Sequence, residues 1–158
     1  MKPILDACCG SRMFYYNRNN ENVLFCDKRK LSTTLCDGRK LEINPDVLLD
    51  FTDMPFMDNT FALVVFDPPH LFRVGDKSWL AQKYGKLSGD WRTELKRGFA
   101  ECWRVLRENG TLLFKWNETD TKASDMIKLF GKEPLLFNKR DKTIWIVYFK
   151  EKTNETNR

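Results

Sequence analysis

The chain has 158 residues, about the size of one ordinary domain, and this argues against a separate recognition domain. Its hydrophobic share of 42% and charged share of 31% are typical of a globular protein that folds alone, and they exclude a fibrous or disordered chain. The net charge of +5 favours an anionic partner, since lysine and arginine neutralise phosphates, although many small basic proteins bind no nucleic acid.

Cysteine, histidine and apolar patterns narrow the compartment and the kinds of site. The five cysteines are odd in number and follow no signal-like leader, which predicts a reducing cytoplasm. The single histidine and the lack of a CxxC pair argue against a zinc site, so we expect no metal. No apolar run reaches about eighteen residues, so we expect no contact with a membrane.

Four short apolar runs in the first half of the chain predict β-strands at residues 3–8, 22–27, 45–51 and 61–66. The runs are continuous rather than alternating, which is typical of strands that helices cover on both faces, and a parallel sheet is therefore expected. The connections at residues 11–21 and 28–44 are too short or too polar for ordinary crossover helices. The second contains Asp37-Gly38, which indicates a turn or a hairpin.

The second half of the chain alternates helices with strands. Apolar residues recur at steps of three and four between residues 91 and 107, the period of an amphipathic helix, and Asn109-Gly110 is predicted to end it. A strand, a second helix and a last strand are predicted at residues 111–116, 121–130 and 143–149. The alternation indicates one α/β domain over residues 1–150, followed by a tail at residues 151–158 that is expected to be disordered.

Acidic residues stand at the predicted strand ends, where a parallel α/β sheet binds its ligand. Asp6 lies in the first strand, Asp27 ends the second and Asp50 ends the third. Asp27 is placed to accept hydrogen bonds from ribose hydroxyls and Asp50 from an adenine amino group, with Phe51 available for stacking. Gly10 follows the first strand and lets backbone N–H groups approach a ligand. The alternative is that these acids are solvated loop residues or helix caps.

Three segments of the chain resemble the class I S-adenosylmethionine-dependent methyltransferases. Residues 4–11 are similar to the glycine-rich cofactor motif, residues 50–65 to the stretch from the adenine-binding acid to strand four, and residues 101–114 to a helix followed by strand five. The resemblance implies a Rossmann-like class I methyltransferase fold with a mostly parallel central sheet flanked by helices, trimmed early crossover helices and an antiparallel last strand. It also implies S-adenosylmethionine as cofactor, bound by Asp6, Ala7, Cys8, Gly10, Asp27, Asp50 and Phe51.

One position departs from the glycine-rich motif of that family. The family usually carries a second glycine two positions after Gly10, where this chain has Arg12. A cation there either crowds the methionine part of the cofactor or pairs with its carboxylate, and the sequence leaves both alternatives open.

The segment Asp67-Pro68-Pro69-His70 resembles the Asp/Asn-Pro-Pro-aromatic motif of methyltransferases that act on an amino group of adenine, cytosine or guanine or on a glutamine amide. The lone pair of such a nitrogen is delocalised, so it is a weak nucleophile until acceptors hold its hydrogens. Asp67 and the Pro68 carbonyl are such acceptors, and the prolines fix the backbone that presents them. His70 stands where the family has an aromatic residue and can stack on a planar substrate. The alternative is an ordinary turn that ends a strand.

Residues 71–90 follow this motif directly and are predicted to form a substrate lid with glycine hinges. Basic and aromatic residues interleave along it, as expected where phosphates and bases are contacted together. The predicted substrate contacts are Arg73, Lys77, Trp79, Lys83, Tyr84 and Lys86. The alternative is a solvated loop whose aromatic residues pack on the core.

The resemblance assigns catalysis to Asp67, Pro68, Pro69 and His70, and the expected reaction is methyl transfer to an exocyclic amino nitrogen of a nucleic-acid base, in the first place adenine N6 in DNA. The alternatives are an RNA base, a protein glutamine, or a non-catalytic protein that binds S-adenosylmethionine or nucleic acid. The expected partner is nucleic acid, DNA before RNA, with a homodimer or another protein to supply target recognition. The small size resembles phage or mobile-element methyltransferases.

Overall fold

The computed structural model describes residues 1–87 and 89–153. Its strands are β1 (Ile4–Asp6), β2 (Val23–Asp27), β3 (Leu31–Thr34), β4 (Lys40–Ile43), β5 (Val47–Leu48), β6 (Phe61–Phe66), β7 (Leu106–Asn117), β8 (Leu136–Arg140) and β9 (Thr143–Lys150). Its helices are α1 (Trp79–Tyr84), α2 (Trp91–Val105) and α3 (Ala123–Phe130). Residues 154–158 of the predicted tail and Ser88 of the predicted lid lie outside the described residues.

One sheet organises the molecule, with the strand order β5, β2, β1, β6, β7, β9, β8. Neighbouring strands from β5 to β7 run parallel, whereas β9 runs antiparallel to both β7 and β8. The expectation of a mostly parallel sheet with an antiparallel last strand is confirmed. Among the described residues, none of the helices has the length and apolar character that a membrane crossing needs.

Helices α2 and α3 cover one face of the sheet. Leu95 and Phe99 are buried on the inner side of α2, one helical turn apart, and Phe99 stacks on Phe130 of α3 with ring centroids 4.1 Å apart. Both helices pack on buried side chains of the central strands, among them Phe66 and Phe114. Burial of side chains of this size stabilises the fold by about 1.5–3 kcal/mol each, so this layer carries much of the core.

The opposite face is covered by shorter pieces of chain. Within the described residues the crossovers from β1 to β2 and from β2 to β5 contain no helix. The first is a loop that packs Tyr15 edge-on against Phe25 of the sheet. The second holds the antiparallel hairpin β3–β4, whose small separate core consists of Leu35, Leu41 and Ile43. The predicted hairpin and the trimmed early helices are confirmed.

The junction between α2 and β7 differs from the prediction. Asn109-Gly110 does not end the helix, because α2 already ends at Val105 and β7 begins at Leu106, which pairs with Phe61 of β6. Asn109 has a φ of +57° inside β7, in the stretch where the pairing of β7 with β6 shifts its register between Phe61 and Leu63.

Three other elements also depart from the sequence prediction. The strand predicted at residues 45–51 is reduced to Val47–Leu48, whose outer neighbour in the sheet is missing among the described residues. The sequence predicts neither α1 nor β8. Helix α1 has only six residues, and β8 is exposed along its whole length, so neither contains an apolar period that a sequence pattern can detect.

Candidate active site

A small pocket of about 60 Å³ lies at the carboxyl ends of the central parallel strands. Residues from four distant predicted segments meet there, because parallel strands all end at the same edge of the sheet. The predicted site residues that line the pocket are Cys8, Gly10, Asp27, Phe51, Asp67, Pro68, Pro69, His70, Lys83 and Tyr84. Those that do not line it are Asp6, Ala7, Asp50, Arg73, Lys77, Trp79 and Lys86.

The turn after β1 is held against β2 by a carboxylate. Gly10 has a φ of +50°, which favours glycine, and a Cβ at this position would meet nothing within 4 Å. The backbone angle therefore favours glycine here, and no protein atom lies close to the position of a Cβ. Its N–H donates to Asp27 Oδ2 at 2.9 Å, and the N–H of Arg29 donates to Asp27 Oδ1 at 2.9 Å. Asp27 thus fixes the loop and also forms part of the pocket wall.

Asp6 lies beneath the pocket and is fully buried. It accepts hydrogen bonds from the N–H of Cys8 at 3.2 Å and from the hydroxyl of Tyr15 at 2.9 Å. Burial raises the pKa of Asp6 to about 7, although both hydrogen bonds act to lower it. The carboxyl group therefore positions the loop from below and does not reach the pocket.

Arg12 adopts a φ of +56°, the left-handed conformation that explains why the related motif has glycine at this place. This backbone conformation costs on the order of 1 kcal/mol for a residue with a Cβ. The guanidinium lies 3.8 Å from the centre of the Phe25 ring and donates to the carbonyls of Arg18 at 2.7 Å and Asn44 at 2.9 Å. These contacts offset the strain, and Arg12 does not line this pocket.

The segment after β5 forms one side of the pocket but offers no exposed ring on which a base could stack. Asp50 is exposed and accepts hydrogen bonds from the N–H and the hydroxyl of Thr52, at 2.9 and 2.8 Å. Phe51 is only 3% exposed, and its ring packs edge-on against Phe66 with centroids 5.2 Å apart. Phe51 is therefore anchored in the core and closes one side of the pocket.

Asp67 forms an ion pair with Lys115, a residue that sequence reasoning missed. Lys115 Nζ donates to Asp67 Oδ2 at 3.0 Å, and the two side chains are only 22% and 23% exposed. Burial raises the pKa of Asp67 above its ordinary value, and the ammonium group of Lys115 acts against this rise. Asp67 Oδ1 has no donor in the described part of the chain, so this oxygen is available to a substrate.

A sequence signal for Lys115 exists. It is the one charged residue in the apolar run 111–116, and charged side chains are rarely placed inside such strands without a partner. The register pairs Phe114 with Phe66, which brings Lys115 beside Asp67. Only the pairing of β7 with β6 turns this signal into a contact.

His70 is an uncharged aromatic surface in this site. Burial and, to a smaller extent, the nearby Lys115 lower the pKa of His70 to about 4, while Asp120 acts against the shift. Its ring centre lies 5.6 Å from that of Tyr84 and 6.3 Å from that of Trp116. The imidazole is therefore neutral near pH 7.

Helix α1 of the predicted lid covers the pocket. Ser78 caps the helix by accepting from the N–H of Leu80, and Arg29 Nη1 donates to the carbonyl of Gln82 at 3.0 Å. The end of the helix brings Lys83 and Tyr84 into the pocket wall. Arg29 thus joins the lid to the strand end that carries Asp27.

Other predicted lid contacts are engaged elsewhere. Lys86 pairs with Asp76 at 2.8 Å. The guanidinium of Arg73 lies over Phe72, which stacks on Trp91 with ring centroids 5.0 Å apart. Phe72 therefore packs on α2, as the solvated-loop alternative expects, whereas Trp79 is exposed and Tyr84 lines the pocket.

Among known proteins, only solved structures resemble this chain, and they identify its fold. No protein-family model and no curated protein matches this sequence. Solved structures do match. A protein of Pyrococcus horikoshii OT3 has a TM-score of 0.61 at 14% identity, over 94% of this chain and 81% of that one. This chain has the methyltransferase-like Rossmann fold.

Two further structures with this methyltransferase-like fold carry descriptive names. One is called a SAM-dependent methyltransferase of Methanosarcina mazei, with a TM-score of 0.55 and 13% identity over 94% of this chain and 92% of that one. The other is a TehB-like SAM-dependent methyltransferase of Corynebacterium glutamicum, with a TM-score of 0.53 and 15% identity over 94% and 79%. The fold class that the sequence implies is confirmed.

The methyltransferase-like fold also explains where the pocket lies. From β1 the chain moves outward through β2 to β5, then crosses to β6 on the other side of β1. The strand order reverses between β1 and β6, and such a point opens a crevice at the carboxyl ends of the strands. Gly10 follows β1 and Asp67 follows β6, so the two motifs flank this crevice.

Proposed function

We propose that this chain is an S-adenosylmethionine-dependent methyltransferase that transfers a methyl group to an exocyclic amino nitrogen of a nucleic-acid base, in the first place adenine N6 in DNA. The observation that carries the proposal is that the Gly10 turn, Asp27 and the segment Asp67-Pro68-Pro69-His70 line one pocket. Solved structures that are named SAM-dependent methyltransferases share the fold, which supports the choice of cofactor.

The pocket residues fit this cofactor. Asp27 supplies carboxylate oxygens for ribose hydroxyls, Phe51 an apolar wall for the adenine, and the Gly10 turn a backbone free of side chains. When bound, S-adenosylmethionine supplies an electrophilic methyl group on a sulfonium. The pocket of about 60 Å³ has room for roughly two water molecules, and we infer that it widens, with Lys83 and Tyr84 of α1 moving outward, when a nucleoside binds.

The chain's own residues then prepare the nitrogen. Asp67 Oδ1 accepts a hydrogen bond from the amino group, which reduces the delocalisation of the nitrogen lone pair. Lys115 holds the other oxygen and favours the ionised carboxylate, so both orientation and charge are preset. The same carboxylate is placed to hold the proton that the nitrogen loses. His70, neutral and partly buried, offers its ring to the planar base.

The experiment that tests this function is incubation with S-adenosylmethionine labelled with tritium in its methyl group, in separate pools of DNA, RNA and protein. The proposal expects label in DNA. Label in RNA or in protein would replace the acceptor by an RNA base or a glutamine amide. Binding of the cofactor in calorimetry without label in any pool would indicate a non-catalytic binding protein.

Replacement of the acceptor carboxylate gives the matching variant. Asp67→Ala is expected to lower the transfer rate by at least about 100-fold, since a preorganised group at the reacting nitrogen is lost. The dissociation constant of S-adenosylmethionine, measured by calorimetry, is expected to stay within a few-fold of the wild-type value. A fully active Asp67→Ala protein would contradict the assignment.

A further inference from the structure

A second and larger cavity of about 540 Å³ adjoins the catalytic pocket. It lies between the turn after β1, the hairpin β3–β4 and the end of α1. Gly10, Ser11, Met13 and Lys83 line both cavities, so the two are neighbours that share a wall. We call this cavity the hairpin cleft.

The hairpin cleft is strongly basic. Five cations line it against a single carboxylate, that of Glu42, and the cations are Arg12, Arg18, Arg39, Lys40 and Lys83. The guanidinium of Arg12 donates to two backbone carbonyls and lies 3.5 Å from the carboxylate of Asp46. Arg39 forms an ion pair with Asp37. Within the described residues the side chains of Arg18 and Lys40 have no hydrogen-bond acceptor, and Lys83 has only the ring of Tyr84, 5.0 Å from its ammonium group. Unpaired cations that converge on a cleft favour a polyanion.

The lid contributes little to this charge. Of the four lid cations that the sequence predicts as phosphate contacts, only Lys83 lines either cavity, and Lys86 is already paired with Asp76. The concentration of positive charge beside the catalytic pocket therefore comes from the hairpin and the loop before β2. The hairpin has its own buried core and can hold these cations in place.

We propose that the hairpin cleft binds the sugar-phosphate backbone of a nucleic-acid strand whose target base enters the catalytic pocket. This inference rests on the proposed function and adds to it the path of the substrate. A single strand can follow this path directly, because its bases are not held in a duplex. The hairpin, which takes the place of a crossover helix, would then bind part of the substrate, as a recognition domain does in larger enzymes.

A double charge reversal tests the cleft. Arg18→Glu with Lys40→Glu is compared with Lys96→Glu and Lys128→Glu, two exposed lysines on α2 and α3. Each reversal removes two charges, so both double variants change the net charge from +5 to +1. Binding of a fluorescein-labelled single-stranded deoxyoligonucleotide is measured by anisotropy over a range of salt concentrations.

The cleft variant is expected to bind the oligonucleotide at least about tenfold more weakly than the control variant. The slope of the logarithm of the binding constant against that of salt should fall by about 1.4, since each single-strand phosphate contact contributes about 0.7. Equal affinities and equal slopes for the two variants would overturn the cleft. So would a loss of S-adenosylmethionine binding in the cleft variant, because the cavity would then belong to the cofactor site.

Tritium transfer by the wild-type protein separates this inference from the proposed function. If the wild type methylates nucleic acid but the cleft variant binds the oligonucleotide as well as the control variant does, only the proposed role of the hairpin cleft is overturned. Transfer to protein only, with no oligonucleotide binding, overturns both.

Discussion

Lys115 is the residue on which the charge of Asp67 depends most directly. Its ammonium group lies 3.0 Å from Asp67 Oδ2 and acts against the rise in pKa that burial causes. Lys115→Met keeps the apolar stem and removes the charge, so the pKa of Asp67 should rise further. Since the proposed reaction needs the ionised carboxylate, the acidic limb of the pH–rate profile is expected to move up by about one pH unit or more.

A conservative variant distinguishes this role from a structural one. Lys115→Arg keeps a cation beside Asp67, so its acidic limb should stay close to that of the wild type, whatever its rate. A Lys115→Met enzyme with an unmoved limb would show that Lys115 only packs against the site. Thermal unfolding of both variants is the control, because a buried carboxylate without its partner destabilises the fold.

Asp6 connects stability to pH. Its pKa is raised by burial to about 7, so the folded state binds a proton more tightly than the unfolded state between about pH 4 and pH 7. Stability from this group is therefore present at pH 4 and is lost as the pH rises, by at most about 1.4 kcal/mol per unit. Asp6→Asn mimics the protonated form and should remove this loss.

Urea unfolding of wild type and Asp6→Asn at several pH values measures the effect. The difference in unfolding free energy should move in favour of the variant as the pH rises from 4 to 7. The comparison is needed because His70, with a lowered pKa, changes stability in the opposite direction over the same range. A difference that does not depend on pH would contradict the buried titration of Asp6.

At the level of single residues, sequence patterns locate part of the site. Gly10, Asp27 and Asp67 stand at or just after the ends of predicted strands, and strand ends converge by topology. Asp6 and Asp50 also stand at strand ends, yet one is buried under the pocket and the other serves a turn. Whether a strand-end acid reaches a ligand depends on which way its side chain leaves the strand, and sequence position alone does not determine this.

Helix α2 is tied to the pocket at Gly98. A Cβ there would lie 2.7 Å from Phe51 Cε2 and 3.0 Å from Phe66 Cζ, closer than side chains pack. Gly98→Ala is therefore expected to lower the free energy of unfolding by about 1–3 kcal/mol, even though alanine favours a helix by about 1 kcal/mol. Because Phe51 forms the pocket wall, the affinity for S-adenosylmethionine should fall as well.

Urea unfolding and calorimetry check this prediction. Lys96→Ala, at an exposed position of the same helix, is the control and should change the unfolding free energy by no more than about 0.5 kcal/mol. A Gly98→Ala protein that is more stable than wild type would show that Phe51 can withdraw without cost.

The elements with a strong apolar period are those that the sequence predicts. Helix α2, helix α3 and the buried strands follow from their patterns, and Asp37-Gly38 indicates the hairpin β3–β4. Helix α1 and strand β8 are stabilised by caps and by pairing with a neighbour rather than by an apolar face. Their existence depends on tertiary contacts such as that of Arg29 with Gln82.

At the level of the whole molecule, helices α2 and α3 pack on one face of the sheet, the loop after β1 packs on the other, and the hairpin has its own small core. The early crossovers are shortened, and the basic residues they carry lie beside the catalytic pocket. The small size of the chain and its positive charge are thus related in the structure, because the short crossovers carry the basic residues that lie beside the pocket. The same shortening that removes two helices leaves the hairpin cleft open.

We propose above all that the Asp67 site methylates an exocyclic amino nitrogen. The most direct measurement is the position of the methyl group in nucleosides released by digestion of a nucleic acid that wild-type protein has methylated with S-adenosylmethionine, determined by chromatography and mass spectrometry. We expect the methyl group on an exocyclic nitrogen, with N6-methyldeoxyadenosine as the main product. A methyl group on a ring carbon, a ring nitrogen or a ribose oxygen would contradict the claim.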